Sequence, residues 1–353
     1  MDNKRMLRYF FIMVLTVGLF GFTQVSQVQA KGAGFTVSAE LPDNQYDDSL
    51  SSFDLLMKPG QQQTLKVTIE NLENTNQKIK ASANTGYTSQ SGFESFNKHH
   101  LGDLTTAAYR FDQIFDGSQM IDLKPHQAKT VTFQVTMPDK AYQGILEGAL
   151  YFKNTKADSV QQTNQAGFNI KNYYAIAIGV ILREHANTHV QPDLKLRQIR
   201  VSEHNDVHEP AVLAKLENTQ PATTGRMTIN AQVARKKDLK TLFGYKSGNH
   251  SMATKSHFEY AIPLGNRWIN PGKYHLHLVA QSKQQTWTFE RDFEISTGQA
   301  LQMNRKNKQI WWIWLSILLL ILFIIVLVTT YYLGYRRRKK QDEKQLNNQN
   351  PRQ

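Results

Sequence analysis

Thr64-Leu65-Lys66-Val67-Thr68-Ile69-Glu70 is the stretch on which the fold turns. Leu65, Val67 and Ile69 fall on one side of an extended chain, and the polar residues fall on the other. That two-residue period marks a half-buried strand. Pro59-Gly60 before it and Asn71 to Asn76 after it supply turn chemistry. Val131, Phe133 and Val135 repeat the alternation, with Thr132, Gln134 and Thr136 facing out and Pro138-Asp139 following; Ile79, Ala81 and Ala83 repeat it more weakly. Gly144–Phe152 alternates less cleanly and reads as buried on both faces. Thr85–Asp116 has little period and reads as a long excursion with a short helix near Leu104–Phe115. Short strands between turns, without long helical patterns, predict an antiparallel sandwich over residues 31–155.

Further along, residues 156–167 are polar and small and read as a linker or a long exposed loop. Tyr173–Leu182 is a continuous apolar run rich in β-formers, and it predicts a buried strand opening a second domain, residues 168–298. Strand candidates follow at Leu194–Val201, Ala211–Glu217, Met227–Ala234, Phe258–Ile262, Lys273–Ala280 and Thr286–Ile295. The fold class expected is all-β: two immunoglobulin-like β-sandwich domains in tandem, followed by one transmembrane α-helix.

The helix is expected over residues 310–335, after a juxtamembrane stretch at 299–309. Ile310–Val328 holds no charge and one polar residue, Ser316. At ~1.5 Å per residue the run makes ~29 Å of helix, about the thickness of a bilayer's hydrocarbon core. Trp311, Trp312 and Trp314 crowd one end and Tyr331, Tyr332 and Tyr335 the other, as a membrane interface selects. Arg336, Arg337, Arg338, Lys339 and Lys340 then open a short tail, 336–353. At the other terminus Lys4, Arg5 and Arg8 precede an apolar run from Tyr9 to Phe22, and Val28-Gln29-Ala30 offers a small-residue cleavage site. Residues 1–30 thus read as a secretory signal cut between Ala30 and Lys31. Both domains are then expected outside the cell, with the five-residue basic run as the cytoplasmic topology determinant.

The formal net charge of +13 is uneven. Lys31–Thr155 carries 11 basic and 14 acidic side chains, whereas Lys171–Lys308 carries 20 basic and 11 acidic. A basic domain facing outward makes nucleic acid a poor partner and anionic wall polymers or acidic protein surfaces better ones. Arg235, Lys236, Lys237 and Lys240 form the densest extracellular basic cluster, a candidate polyanion contact in or beside a loop. The chain has no cysteine, which excludes thiolate nucleophiles and cysteine-ligated zinc and suits an envelope that does not rely on disulfides. Of the histidines, His185/His189 and His204/His208 stand four apart in strand-like sequence, ~13 Å at ~3.3 Å per residue, too far to share an ion. His275 and His277 share a strand face, but no third ligand is assignable. No nucleophile elbow or phosphate loop is present, and the scattered acids do not say which two converge. Neither catalytic residues, nor a metal site, nor a cofactor is expected.

Several segments carry a family resemblance: Pro42-Asp43-Asn44-Gln45, Phe53-Asp54-Leu55 leading into Pro59-Gly60-Gln61, Gln63–Asn71, and Tyr142-Gln143-Gly144-Ile145-Leu146-Glu147-Gly148-Ala149. They are followed by Ile170–Leu182, Leu194–Ile199, Leu216-Glu217-Asn218 and Asn270-Pro271-Gly272-Lys273-Tyr274. In this order, with the anchor and basic tail, they resemble the WxL-interacting proteins of Gram-positive bacteria; in that family the position of Glu147 is more usually glycine. The resemblance implies a non-catalytic surface protein with a peptidoglycan-binding first domain and a second domain directed to host or extracellular-matrix protein. It further implies pairing with WxL-domain surface proteins and one helix in the lipid bilayer. A cell-wall-modifying enzyme and a surface signalling receptor are the alternative readings; an enzyme needs convergent acids or histidines in a pocket, and a receptor needs a cytoplasmic partner.

Overall fold

The computed structural model describes residues 32–155, 174–187, 189–203, 209–238, 240–265, 267–283, 285–305 and 308–349. The expected signal and its Ala30–Lys31 cleavage point, the expected linker at residues 156–167, His204 and His208 lie outside the described residues.

Residues 32–155 supply β1 (Phe35–Glu40), β2 (Phe53–Leu56), β3 (Gln62–Asn71), β4 (Gln77–Thr85), β5 (Tyr87–Thr88), β6 (Glu94–Ser95), β7 (Gln119–Leu123), β8 (Ala128–Thr136) and β9 (Leu146–Asn154). A short helix α1 (Phe111–Ile114) lies between β6 and β7. β3 is the strand foreseen from its alternation. It pairs antiparallel with β1 and β8, setting Leu65 opposite Phe133 and Val67 opposite Val131. Leu65, Val67, Ile69, Phe133 and Val135 turn inward onto Ile79, Ala81, Leu150 and Phe152 of the facing sheet. Each such side chain contributes roughly 1.5–3 kcal/mol when fully buried, and a one-residue slip would turn the set to water.

The second sheet runs β2-β10-β9-β4-β7, and its β10 (Ala175–Arg183) is a departure from the sequence reading. The run expected to open the second domain pairs antiparallel with β9 and parallel with β2, inside the first sandwich. Ile178, Val180 and Leu182 enter the first core, and Arg183 holds Asp54 of β2 through two hydrogen bonds of 2.8 Å. The physical reason is demand for a partner: without β10 the buried edge of β9 and the apolar face of β2, with Phe53 and Leu55, would be uncovered. The residues between Thr155 and Tyr174 therefore join two neighbouring strands of one sheet, and the chain passes between domains at 184–193.

The second sandwich comprises β11 (Leu194–Glu203), β12 (Pro210–Asn218), β13 (Met227–Arg235), β14 (Thr241–His250), β15 (His257–Pro263), β16 (Gly272–Ser282) and β17 (Thr286–Ile295). They form sheets β11-β12-β15 and β14-β13-β16-β17 around one core. β14 lay outside the strand candidates; as an edge strand it buries only Phe243 and His250, so Gly244, Lys246, Ser247 and Asn249 give no alternation. After β17, α2 (Thr297–Arg305) returns to the domain, with Ala300 and Met303 in the core. Its Asn304, 4% exposed, hydrogen-bonds both the N–H (2.9 Å) and the C=O (2.7 Å) of Ile269.

The last element, α3 (Lys308–Gln349), contains an apolar span long enough to cross a bilayer, Trp314–Lys340. Its hydroxyls stay within the helix: Ser316 donates to the Trp312 carbonyl at 2.7 Å, and Thr329 and Thr330 donate to Ile325 and Val326 at 2.8 and 2.9 Å. That bonding leaves no side-chain donor wanting water at those positions. The Arg336 guanidinium lies over the Tyr332 ring at 5.4 Å. Arg337, Arg338, Lys339 and Lys340 follow in the same helix.

Candidate functional site

The excursion between β4 and β7 crosses to the other sandwich. Its first contact is a three-membered hydrogen-bond ring. The Ala253 N–H donates to Thr88 Oγ1 (3.1 Å), Thr88 and Ser256 share a bond of 2.5 Å, and Ser256 Oγ donates to the Ala253 carbonyl (2.8 Å). Because Ser256 spends its proton on the carbonyl, Thr88 is the donor between the hydroxyls. Further out, Thr105 bridges Ser256 antiparallel, the Thr106 N–H donates to the Lys255 carbonyl (2.6 Å), and the Ser251 N–H donates to the Gly92 carbonyl (2.9 Å). The residues that receive these contacts, 251–256, are held by their own domain: Asn218 Nδ2 donates to the carbonyls of Ala222 (2.7 Å) and Ala253 (3.2 Å).

Two glycines permit the approach. Gly92 has φ +77°, and a Cβ there would sit 2.4 Å from His250 Nδ1 and 2.8 Å from Phe258. Gly144 has φ +93°, and a Cβ would sit 2.4 Å from the Pro221 carbonyl oxygen, while the Ile145 N–H bonds that carbonyl at 2.9 Å. An L side chain is strained in either conformation.

At the centre lies Glu147, 6% exposed on β9. Its Oε2 accepts the Thr254 N–H at 3.0 Å, and its carboxyl also bonds Glu94. Burial first, and then the charge of Glu94, push its pKa up to about 8, so at neutral pH it carries a proton. Burial raises Glu94 as well. These are the two acids that converge. Both belong to the first domain; the proton holds the pair together there, and Glu147 reaches the second sandwich through the Thr254 N–H.

Beside this junction lies an open cleft of about 540 Å³, lined by Tyr87, Lys98 and Asp103 of the first domain and Lys215, His257 and Glu259 of the second. Lys98 lies over the Tyr87 ring at 5.1 Å, and the Tyr87 hydroxyl donates to Asn97 at 2.6 Å. Burial, helped by Lys215, lowers the His257 pKa and keeps the ring neutral. Lined by both charges, hydroxyls and an aromatic ring, the cleft suits a polar, hydrogen-bonding ligand.

The basic cluster is dispersed in its contacts. Arg235 closes β13 with its guanidinium over the Tyr274 ring (5.2 Å), Lys236 pairs with Asp292, and Lys237 and Lys240 are exposed around the turn into β14. His275 and His277 do share a face of β16, and β17 brings acids to them. His275 bonds Asp292 through Nδ1 (2.8 Å) and Glu290 through Nε2 (2.7 Å), and His277 bonds Glu290 through Nδ1. The Asp292 bond, then the Glu290 bond, raise the His275 pKa. Both nitrogens of His275 are thus engaged by carboxylates, and among the described residues no His, Asp and Glu group is arranged to hold a metal ion. Sequence reasoning missed the junction residues because each partner lies far away in the chain. Glu147 alone left a trace, as a carboxylate inside an otherwise apolar strand.

No curated protein matches the chain. Among solved structures, the YadV chaperone overlaps 74% of this chain and 100% of its own at 11% identity and a TM-score of 0.27. The E. coli chaperone DraB overlaps 74% and 95% at 9% identity and 0.25, and a PapD-like domain of human CEP192 overlaps 46% and 95% at 12% identity and 0.27. Superpositions this slight carry no argument about fold or function. Family models are more informative. Residues 35–154 match the WxL Interacting Protein peptidoglycan binding domain, and residues 165–305 match the WxL Interacting Protein host binding domain. The second match takes in β10, which the fold lends to the first sandwich. Both models describe binding modules, together they take in well over half of the sequence, and the chain belongs to the WxL-interacting protein family.

Proposed function

We propose that this cell-surface binding protein is a non-catalytic, membrane-anchored adaptor, with both sandwiches outside the cell and the basic tail in the cytoplasm. In this reading the first sandwich engages peptidoglycan, the second engages host or matrix protein, and a WxL-domain protein is the envelope partner. The observation that carries it is the order of modules: two binding domains clasped together and followed directly by an apolar helix with basic residues at its far end. The interdomain cleft is the reading's ligand contact, because its hydroxyl, charged and aromatic lining suits sugar hydroxyls and amides.

The test is co-sedimentation of the detergent-solubilised chain with purified peptidoglycan, and pulldown with a WxL-domain protein. Binding to both is expected. Replacing Lys98 and His257 with Ala should weaken peptidoglycan binding about tenfold, the loss of one or two hydrogen bonds at about 1.4 kcal/mol per decade. Binding to neither partner would overturn the adaptor reading, and unchanged peptidoglycan binding in the double variant would remove the cleft from it. Accessibility of the sandwiches, but not of the tail, to protease added to cells after wall removal is the expected topology result.

A further inference from the structure

Strand register fixes what lies at each end of the second sandwich. β13 begins at Met227, opposite His250 of β14 and Ser282 of β16, and this is the end at the junction. It finishes at Arg235 opposite Tyr274, while β17 finishes at Ile295 opposite Gly272. At ~3.3 Å per residue the length of β13 separates the two ends by nearly 30 Å. The far end gathers the turn with Lys237 and Lys240, the segment after β15 with Arg267 and Trp268, and the start of α2.

That end is also where the chain leaves for the apolar span. The exit is rigid, because Asn304 grips both backbone groups of Ile269 while Ala300 and Met303 sit in the core. From Asn304 to Ile310, where the apolar run starts, the chain spans ~9 Å as helix and ~20 Å fully extended. The far end therefore stays within that reach of the hydrocarbon boundary wherever the span is inserted.

The exposed side chains there have interfacial chemistry. Trp268 is 59% exposed although its neighbour Ile269 is buried. Leu242 is 42% exposed, and its carbonyl accepts from Arg267 Nη1 at 3.0 Å, which ties the segment carrying Trp268 to the edge strand β14. Lys237, Lys240, Lys273 and Arg305 are exposed at the same end. Of the acids there, Asp292 is held by Lys236 and His275, leaving Asp238, Glu294 and Glu209, just before β12, against this larger set of cations. An amphipathic ring rimmed by cations is what an anionic headgroup layer selects.

We propose that this end of the second domain is a bilayer-contact surface. Trp268 and Leu242 enter the headgroup layer, and Lys237, Lys240 and Arg267 meet anionic lipid headgroups of the membrane that anchors the chain. The inference rests on the anchoring reading above, and it gives the basic cluster an occupant.

The absence of cysteine makes the test direct. Full-length Trp268→Cys and Leu242→Cys proteins, spin-labelled and reconstituted in phosphatidylcholine vesicles with or without phosphatidylglycerol, are read for collision with oxygen and with a water-soluble nickel chelate. Met120→Cys, exposed in the first domain, is the aqueous reference. Labels at 268 and 242 should collide severalfold less with nickel and more with oxygen than the label at 120, most clearly with phosphatidylglycerol, and Lys237→Glu/Lys240→Glu should reduce the difference. Flotation with the vesicles through alkaline carbonate reports the anchor separately. Protein that floats while labels at 268 and 242 match the one at 120 would overturn the contact surface and leave the anchor standing. Protection that appears only on adding an anionic wall polymer would overturn it too, and would assign the patch to the wall.

Discussion

Glu147 sets a pH dependence on the junction whose sign and size follow from its surroundings. In the joined state its pKa is about 8, against an ordinary 4.5, because burial and then Glu94 oppose its charge. Once the junction opens, water restores the ordinary value. A folded-state pKa raised in this way leaves stability intact below about 4.5 and removes it as pH rises toward about 8, where the loss levels off. At about 1.4 kcal/mol per pH unit the ceiling is about 5 kcal/mol, and between pH 6 and pH 8 the loss is about 2 kcal/mol. Glu147→Gln removes the titration while keeping an oxygen for the Thr254 N–H and an amide donor for Glu94. The assay is thermal unfolding of full-length wild type and variant in detergent across that range. For domains of this size 2 kcal/mol moves the Tm by about 4–8 °C, so the variant should gain that much over wild type on going from pH 6 to pH 8. Hydrogen exchange at the Thr254 amide should quicken in wild type over the same interval and stay level in the variant. A wild-type-minus-variant difference that is flat with pH would refute the buried proton.

Four further outcomes test the architecture. Gly144→Ala forces a side chain into a positive-φ position against the Pro221 carbonyl; it should cost about 1–3 kcal/mol and quicken exchange at the Ile145 amide, with the distal β1–β3 ladder unaffected. A fragment ending at residue 155 lacks Ile178, Val180 and Leu182, together roughly 4.5–9 kcal/mol of burial; it should aggregate or bind a hydrophobic dye, whereas one ending at 187 should give a cooperative melt. Arg183→Ala leaves Asp54 buried without its partner and should destabilise the first sandwich by about 3–5 kcal/mol, read as a lower denaturant midpoint. Asn304→Ala orphans both backbone groups of Ile269 and should lower stability by about 1–3 kcal/mol, with loss of exchange protection at the Ile269 amide.

The sequence announced the strands that have one wet face. Leu65-Val67-Ile69 and Val131-Phe133-Val135 alternate because the sheet gives them a single buried side, and Tyr274-Leu276-Leu278 do the same. β14 stayed hidden because it lies at a sheet edge, where glycine, serine and lysine are as acceptable as valine. Tyr173–Leu182 announced burial but not address, since an apolar run carries no record of which sheet it joins. The junction was the least legible part. Thr88 and Ser256 are 168 residues apart, and the small hydroxyls that join them look like ordinary loop residues until the fold brings them together. The basic cluster was visible as charge, but Arg235 stacking on Tyr274 and Lys236 pairing with Asp292 were not.

The loan of β10 to the first sandwich bears on what a protease can release. A single cut anywhere between Thr155 and Tyr174 severs the polypeptide without parting the modules, because the C-terminal piece keeps β10 wedged between β2 and β9. Under the anchoring proposed above, the first module would stay on the cell as a non-covalent cargo, shed only when that strand is pulled out of its sheet.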